Sequence, residues 1–446
     1  MAGQTTAIYL QMTRLAWRNV LRNWRHSLAT ILAIASGFIA VSLFDGFIMQ
    51  LEYRNKDGYQ TRGMLGHVLV QRKDAQFKSM EDQWLYAMDK DEQSFLDDYF
   101  KHDPDFLRRV RFLNISGMVN AGPYNTVFVG FGLDLKEGAE MRGIRWYWDT
   151  AAGVPLVQYP KSSVTIGLAL GKLIECESTY QGPAYILEYG NYTAENRPFV
   201  CKYPRITLSA TTAAAQVNAL DVPVSGLFDA GFREADKRAV RLSLADAQRL
   251  MDTDKITMIS IELKDEHLRK GFIKRLKAAA EAAHQNFDVM PWQEHTLAAY
   301  LQGGIDVLHV FRNLFMTIVV TIGVMSVANT MMKSVNERIR EIGTLRSLGF
   351  LREHLVYMFS MEGLFLSILA CAIGLVGTVI LTTVIGNLGL TYRAGVLSAP
   401  IGLSVGWSWG AWILCTIVLM ALATSTAWFC SRRASRMVIA DAMRHV

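Results

Sequence analysis

The sequence lacks a nucleotide-binding loop of the G-x-x-x-x-G-K-[ST] type. Its nearest approach is the run GLALGKL at residues 167–173, in which the spacing is one residue short. That run ends in Leu173, and leucine cannot ligate Mg²⁺ as the serine or threonine of the motif does. We therefore expect that this chain does not hydrolyse ATP itself.

Metal-binding patterns are also missing. The nine histidines are scattered without paired spacing, and the chain has only five cysteines. Three of these, Cys371, Cys415 and Cys430, fall in apolar stretches, where a thiol packs as a small apolar side chain. We predict no metal ligand, no cofactor-binding residue and no catalytic residue in this chain.

Acidic residues are sparse in three short basic segments. Residues 1–27, 333–355 and 431–446 carry net charges of +4, +2 and +3, whereas the whole chain carries +6, so the remainder carries −3. Lysine and arginine concentrate in the cytoplasmic segments of membrane proteins. The pattern predicts cytoplasmic termini and a cytoplasmic segment at 333–355. The same confinement of charge argues against a nucleic-acid partner.

Long apolar runs are what the sequence has in abundance. Four stretches, 28–51, 305–332, 356–388 and 407–430, exceed the roughly 20 residues that a membrane-crossing helix needs. We interpret the first as a retained span, because no small-residue cleavage site follows it. Among the acidic residues inside these stretches, Asp45 and Glu362 each lie near an end. Asp45 is interpreted as an interface anchor or as part of a lipid cavity between protomers, and Glu362 as a partner for a basic residue of 333–355.

The segment before the first span has the pattern of an amphipathic helix. One face carries arginine and the adjacent face carries tryptophan and leucine, which is typical of a helix in the headgroup layer. The alternative is a soluble N-terminal helix. The residues assigned to the membrane interface are Arg14, Trp17, Arg18, Leu21, Arg22, Trp24 and Arg25.

Residues 52–304 are long enough for a sizeable folded domain outside the membrane, and 389–406 form a short loop on the same side. Strand and helix signals alternate along the insert, which predicts an α/β domain. We predict one long helix over 82–110. Two subdomains are expected, one built from 52–162 and 239–304 and the other from 163–238. Cys176 and Cys201 are the two cysteines of this insert, and they form either a disulfide or two separate buried thiols.

The sharpest local pattern lies in the cytoplasmic segment after the second span. Ile339, Ile342, Leu345 and Leu348 repeat at helical spacing, and charged residues flank them. Such a short amphipathic helix either rests on the membrane or docks its apolar stripe into a groove of a cytoplasmic partner. The mixed charge favours docking.

This segment resembles the coupling region of permeases in the FtsX/MacB superfamily of ABC transporters, in which E-R-x-x-E-I-G-x-L-R-x-L-G follows the second span. The residues involved are Glu337, Arg338, Ile339, Glu341, Ile342, Gly343, Leu345, Arg346, Leu348 and Gly349. Residues 16–23 and 360–374 resemble the starts of the first and third spans in that superfamily. Residues 226–231, Asp236 and 242–250 resemble the lipoprotein-releasing permeases LolC and LolE.

The resemblance implies a type VII ABC system with a MacB-like periplasmic core, whose subdomains are called Porter (52–162 and 239–304) and Sabre (163–238). It implies a bacterial inner-membrane protein, paired with a second permease copy or homologue. A separate cytoplasmic ATPase dimer holds ATP and Mg²⁺, and membrane lipid is a further partner. The implied work is lipoprotein extraction. The alternatives are activation of a periplasmic cell-wall hydrolase and MacB-like efflux through an adaptor and an outer-membrane channel. Residues 146–161 are the candidate loop for recruiting a periplasmic carrier.

Overall fold

The computed structural model of the chain describes residues 2–22, 24–79, 82–159, 161–181, 196–393 and 395–434. It describes only the backbone of residues 2–7, 24–26, 300, 301 and 434. The predicted tail beyond residue 434 and the side chains of Trp24 and Arg25 therefore lie outside the description. The chain forms two compact units. The helical unit comprises Met1–Glu52, Ile305–Leu390 and Leu403–Val446, and the sheet unit comprises Tyr53–Gly304 and Thr391–Gly402.

The helices, in chain order, are α1 (Ala2–Arg22), α2 (Trp24–Lys56), α3 (Ala75–Lys78), α4 (Lys90–His102), α5 (Leu135–Trp146), α6 (Leu168–Leu173), α7 (Arg233–Asp236), α8 (Leu244–Met251), α9 (Arg269–Ala282), α10 (Thr296–Glu337), α11 (Ile339–Ser347), α12 (Arg352–Asn387) and α13 (Trp409–Ala434). A π-helical turn, Asp57–Arg62, follows α2. The strands are β1 (Val68–Arg72), β2 (Phe106–Ala121), β3 (Tyr124–Leu133), β4 (Ala152–Gly153), β5 (Val164–Gly167), β6 (Cys176–Ser178), β7 (Phe199–Cys201), β8 (Arg205–Thr211), β9 (Val217–Phe228), β10 (Ala239–Ser243), β11 (Met258–Leu263), β12 (Phe287–Pro291), β13 (Thr391–Tyr392) and β14 (Ile401–Gly402).

Four helices among the described residues are long and apolar enough to cross a membrane: Ser27–Arg62, Thr296–Glu337, Arg352–Asn387 and Trp409–Arg433. Small residues let them pack closely. A methyl group added at Gly363 would meet the Cβ of Ala427 at 2.5 Å, and one added at Gly374 would meet the Phe38 ring at 2.9 Å. The predicted class, four membrane helices with an α/β domain inserted between the first and the second, is confirmed.

The sheet unit is built on one ten-stranded mixed sheet with the order β12-β1-β11-β2-β3-β10-β5-β9-β4, in which β8 pairs with both β2 and β9. Both faces are covered. Val68 and Val70 of β1 join the core beneath α4, α8 and α9, while Leu69 between them joins a second core with Met141 of α5. Alternate side chains of a strand point to opposite faces, so this burial pattern follows from the pleat. The sheet runs through both ranges predicted as subdomains, and the division between them stays a prediction.

The predicted helix over 82–110 is too long. The helix begins only at Lys90, where the Asp89 side chain accepts hydrogen bonds from the backbone N–H groups of Asp91 and Glu92. The Asp89 N–H in turn donates to the Glu92 carboxylate at 3.0 Å. This reciprocal cap fixes the start. The helix ends at His102, just before Pro104, and β2 begins at Phe106. The apolar residues of 82–110 therefore belong to a turn, a helix and a strand in succession.

Candidate coupling site between the second and third spans

The short helix α11 is bounded by defined caps. It starts after Arg338 and ends at a Schellman motif, in which the Gly349 N–H donates to the Arg346 carbonyl at 3.1 Å and the Phe350 N–H donates to the Leu345 carbonyl at 3.1 Å. Gly349 has φ +94°, a left-handed conformation in which glycine carries no steric penalty. The coupling segment is thus a compact turn of helix with a sharp return into α12.

A buried ion pair holds the start of α11. The Arg338 Nη1 donates to the Glu362 Oε1 of α12 at 2.9 Å, and the Asn19 Nδ2 of α1 donates to the same oxygen at 2.6 Å. Both charged side chains are less than a tenth exposed. The predicted pairing of Glu362 with a basic residue of 333–355 is confirmed, and Asn19 is an additional partner that sequence reasoning missed.

The apolar stripe of α11 faces its own chain. Ile342 and Leu345 pack against a buried cluster formed by α1, the end of α10 and the start of α12, with the members Met12, Ala16, Val335, Leu355, Met358 and Phe359. Gly343 is buried and Ile339 is half-buried, whereas Leu348 is 72% exposed. The prediction that this whole stripe faces a partner protein is therefore wrong for Ile342 and Leu345, because both side chains pack against residues of the helical unit.

The exposed face of α11 is mostly polar. Arg340, Glu341, Thr344 and Ser347 lie on it, with Leu348 at its end, and Glu337 is exposed just before the helix. Arg346 is half-buried. Glu341 accepts a 3.4 Å contact from Arg22 of α1, with both side chains more than half exposed. Any partner that meets α11 would therefore touch this polar face.

The helix predicted to lie at the membrane interface packs lengthwise on α12. Met12 and Ala16 of α1 are buried, while Arg14, Trp17 and Arg18 are exposed. Leu21 and Arg22 are also exposed. The buried face of α1 is thus not the predicted face of tryptophan and leucine. The described residues of that predicted face, Trp17 and Leu21, are exposed. Assignment of these side chains to the interface stays a prediction.

Asp45 has a partner that sequence reasoning missed. Arg312 of α10 donates from Nη1 to Asp45 Oδ1 at 2.9 Å, and both side chains are half-buried. Arg312 lies within the predicted span 305–332 and is a further charge in a membrane segment. The pair ties the first and second spans together and accounts for both charges, since an ion in a membrane segment requires a counter-ion.

Cys176 and Cys201 are joined by a disulfide across the small β6–β7 ribbon. Of the two alternatives predicted from sequence, a disulfide and two separate buried thiols, the structure has the disulfide. The ribbon brackets residues 182–195, which lie outside the described residues.

A second buried ionic cluster lies in the sheet unit. The Asp149 carboxylate, 2% exposed, meets Arg62 Nε at 2.8 Å, Arg142 Nη2 at 3.3 Å and Arg241 Nη1. Burial alone would raise the pKa of Asp149, but the three guanidinium groups together hold it well below its usual range. Four residues spread between 62 and 241 leave no local pattern in sequence, so no signal predicts this cluster.

The expectation that 146–161 form a loop for recruiting a periplasmic carrier is not met. Most residues of the predicted recruiting loop are buried, among them Trp146, Ala152 and Leu156, and Tyr147 is an exception at 40% exposed. The Trp146 indole N–H donates to Asp57 at 2.8 Å. The segment is therefore part of the framework of the sheet unit and not an exposed loop.

The predicted loop 389–406 contributes a hairpin to the sheet unit. The Arg233 N–H donates to the Val396 carbonyl at 3.0 Å, and the Ser398 N–H donates to the Gly231 carbonyl at 3.1 Å. The Ser398 hydroxyl also bonds the buried Asp229 carboxylate. Residues 391–402 are thereby fixed to the turn that follows β9, a contact between segments more than 160 residues apart in the chain.

Parts of this chain are similar to known membrane transport proteins. Residues 313–439 match the family described as FtsX-like permease C-terminal. The chain is 20% identical over 230 residues to the lipoprotein-releasing system transmembrane protein LolC of Xylella fastidiosa, covering 50% of this chain and 54% of that protein. It is 28% identical over 195 residues to the macrolide export ATP-binding/permease protein MacB of Brucella abortus, covering 44% of this chain and 28% of that protein.

These matches span about half the length of LolC and about a quarter of MacB. Among solved structures, the periplasmic region of MacB from Actinobacillus actinomycetemcomitans covers 56% of this chain at 11% identity, with a TM-score of 0.32. The chain is an integral membrane protein homologous to LolC and MacB. Residues 313–439, which hold α11 and parts of its flanking helices, are similar to the FtsX-like permeases, a family of ABC transporter permeases.

Proposed function

We propose that this chain is the non-catalytic membrane subunit of an ABC machine that extracts a lipid-anchored or amphipathic substrate, such as a lipoprotein, from the bacterial inner membrane. A separate cytoplasmic ATPase dimer binds ATP and Mg²⁺, and a second permease copy or homologue completes the complex. The sheet unit works on the periplasmic side, and both termini are cytoplasmic. The single observation that carries the proposal is the capped helix α11, held by Arg338–Glu362 between two spans.

The attachment of α11 supports its role as a transmitter. Its start is bound to Glu362, which lies almost three turns into α12, and the same carboxylate accepts a hydrogen bond from Asn19 of α1. A displacement of α11 would therefore also displace α12, which contains the third span, and α1, which precedes the first span. Because Ile342 and Leu345 pack inward, the ATPase is expected to meet the polar face and Leu348.

The choice of substrate class rests on chain organisation. The large sheet unit and the similarity to LolC together favour the lipoprotein-releasing branch. Within the described residues the membrane charges are engaged with one another, as in Arg312–Asp45 and Arg338–Glu362. They form no continuous array such as a polar substrate pathway across the bilayer would need.

The coupling role is tested by a single substitution on the exposed face. Leu348→Asp places a charge at the outward end of α11 with little cost to folding, because the side chain is 72% exposed. We expect the ATPase to be lost from the affinity-purified complex. Val217→Asp on β9, at an 82% exposed apolar position in the sheet unit, is the matched control and should retain it. Equal ATPase recovery from both variants would contradict docking on this face.

The substrate is tested separately by photocrosslinking in cells from exposed positions of the sheet unit, followed by mass spectrometry of the captured proteins. Lipoproteins and a periplasmic carrier are the expected products. Capture of a cell-wall hydrolase would assign the machine to mechanotransmission, and capture of an adaptor protein would assign it to efflux. Either of these results would replace the extraction proposal while leaving the coupling result untouched.

A further inference from the structure

An open groove of about 690 Å³ lies between α1 and α12 in the helical unit. It is lined by Tyr9, Leu10, Thr13, Arg14, Trp17 and Arg18 of α1 and by Tyr357 and Phe365 of α12. Its volume is within the range of about 300–1,000 Å³ that small-molecule sites usually have. The groove is separate from the exposed face of α11 and plays no part in the coupling proposed above.

The floor of the groove is aromatic and is fixed by ring contacts. Trp17 meets Phe365 edge to face with 5.3 Å between ring centroids, and Tyr9 meets Tyr357 in the same way at 4.9 Å. The hydroxyl groups of Thr13 and Tyr357 are 3.2 Å apart. These contacts leave an apolar surface of fixed shape with two hydroxyl groups beside it.

The rim of the groove carries positive charge that the chain does not neutralise. Arg14 and Arg18 are one helical turn apart on the same face of α1, and both are exposed. In the described part of the chain neither has an acidic partner, whereas Arg22, one turn further on, contacts Glu341. Two adjacent guanidinium groups above an aromatic floor form a receptor for an anion attached to an apolar body.

The place of the groove in the sequence indicates which anion this is. α1 leads directly into the first span, and α12 is itself a span, so the groove adjoins the membrane surface. Tryptophan and tyrosine favour that interface, and basic clusters next to spans attract anionic lipid. We propose that this groove binds an anionic phospholipid of the surrounding leaflet. Its phosphate contacts Arg14 and Arg18, and its acyl chains lie along Trp17 and Phe365.

Lipid retention by the purified full-length chain tests the proposal. The chain is reconstituted in nanodiscs of zwitterionic phosphatidylcholine, titrated with phosphatidylglycerol and measured by native mass spectrometry. We expect the Arg14→Gln/Arg18→Gln variant to bind phosphatidylglycerol about thirtyfold more weakly than the unaltered chain, since each arginine near a membrane surface contributes about fivefold. Tyr357→Phe, which removes one hydroxyl group, should weaken binding about threefold, as loss of one hydrogen bond does.

The matched control removes two other exposed arginines of the helical unit. Arg352→Gln/Arg433→Gln takes the same charge from positions outside the groove and should leave binding unchanged. An equal loss in this control would overturn the proposal, because the effect would then be one of overall charge. Displacement of the lipid by inorganic phosphate alone would overturn it too, since the arginines would then bind a soluble anion. Failure of Leu348→Asp to release the ATPase would leave the lipid result standing.

Discussion

The two buried ionic clusters differ in how they compensate charges that are removed from water. In the helical unit one carboxylate, Glu362, meets one guanidinium group and one amide. In the sheet unit one carboxylate, Asp149, meets three guanidinium groups. The surplus positive charge of the second cluster is met by aromatic faces and carbonyl groups. Arg241 lies 3.7 Å above the Phe228 ring, and Arg62 donates to the Asp229 carbonyl at 2.7 Å.

The surroundings of the clusters differ as well. Asp149 is enclosed by strands and by α5, and the cluster joins parts of one sheet framework. Glu362 and Arg338 instead line a polar cavity of about 350 Å³ in the helical unit, together with Asn19, Thr30 and Asn329. A pair beside a cavity can change its geometry without displacing a packed core. The comparison therefore favours a role in stability for the sheet-unit cluster and supports the transmitting role proposed for the pair in the helical unit.

The largest effect is expected when Asp149 is replaced. Asp149→Asn leaves three buried guanidinium groups without a carboxylate, which should lower the free energy of unfolding by about 4 kcal/mol. Chemical unfolding of the solubilised chain, followed by tryptophan fluorescence, measures this change. Asp221→Asn is the control, because Asp221 pairs with Arg205 at the surface and such pairs contribute about 1 kcal/mol or less. Similar losses in both variants would remove the structural role assigned to the cluster.

Acid should destabilise the sheet unit through a histidine and not through this cluster. Burial lowers the pKa of His295 from 6.5 to about 4, and its neutral Nδ1 accepts a hydrogen bond from the Leu297 N–H at 3.2 Å. Between these pH values the unfolded chain binds a proton that the folded chain does not. Stability therefore falls as pH drops from 6.5 to 4, by up to about 3 kcal/mol.

The pH dependence is measured by unfolding the full chain at several pH values. His295→Gln should flatten the slope between pH 6.5 and 4, whereas His102→Gln, at an exposed position on α4, should not. A slope that survives in His295→Gln would assign the acid sensitivity to His67, whose pKa is also lowered by burial.

A smaller effect is expected in the helical unit. Glu362→Gln keeps an acceptor oxygen for Arg338 and Asn19 but removes the charge, at a cost of about 2 kcal/mol, typical of a hydrogen bond to an ionised group. Heating of the solubilised chain followed by size-exclusion chromatography reports the loss. Glu353→Gln, at an exposed position on the same helix, should match the unaltered chain. Since Glu362 also holds α11, ATPase activity of the complex should fall in Glu362→Gln alone.

The smallest effect is expected at the surface contact of α11. Arg22→Gln removes the exposed pair with Glu341, worth about 0.5 kcal/mol, and should change neither stability nor ATPase recovery measurably. If Arg22→Gln impaired coupling as strongly as Glu362→Gln, transmission would run over the surface of the segment and not through the buried pair.

Much of this architecture could be predicted because it depends on composition over long windows. Four apolar stretches define the membrane helices, and the E-R-x-x-E-I-G pattern locates α11. Helical periodicity identifies which residues share a face but not what that face meets. Ile342 and Leu345 therefore point into the chain, although the same spacing suits a docking surface.

The remaining features depend on contacts between distant residues. Asp149 and its arginines, Arg312 with Asp45, and Ser398 with Asp229 join segments that no window of sequence contains. The prediction of a helix over 82–110 fails for a local reason, since the cap at Asp89 begins the helix partway through the apolar pattern. Which buried polar residues pair with one another is therefore known only from the folded structure.

The hairpin of residues 391–402 has a consequence for the order of biosynthesis. The ribosome makes 53–304 first, but the Ser398 hydroxyl that bonds the Asp229 carboxylate and the Val396 carbonyl that accepts from the Arg233 N–H are made only after α12. Domains usually fold in the order of their synthesis. Here the sheet unit is completed only after α12 has been synthesised, so its last contacts form later than those within 53–304.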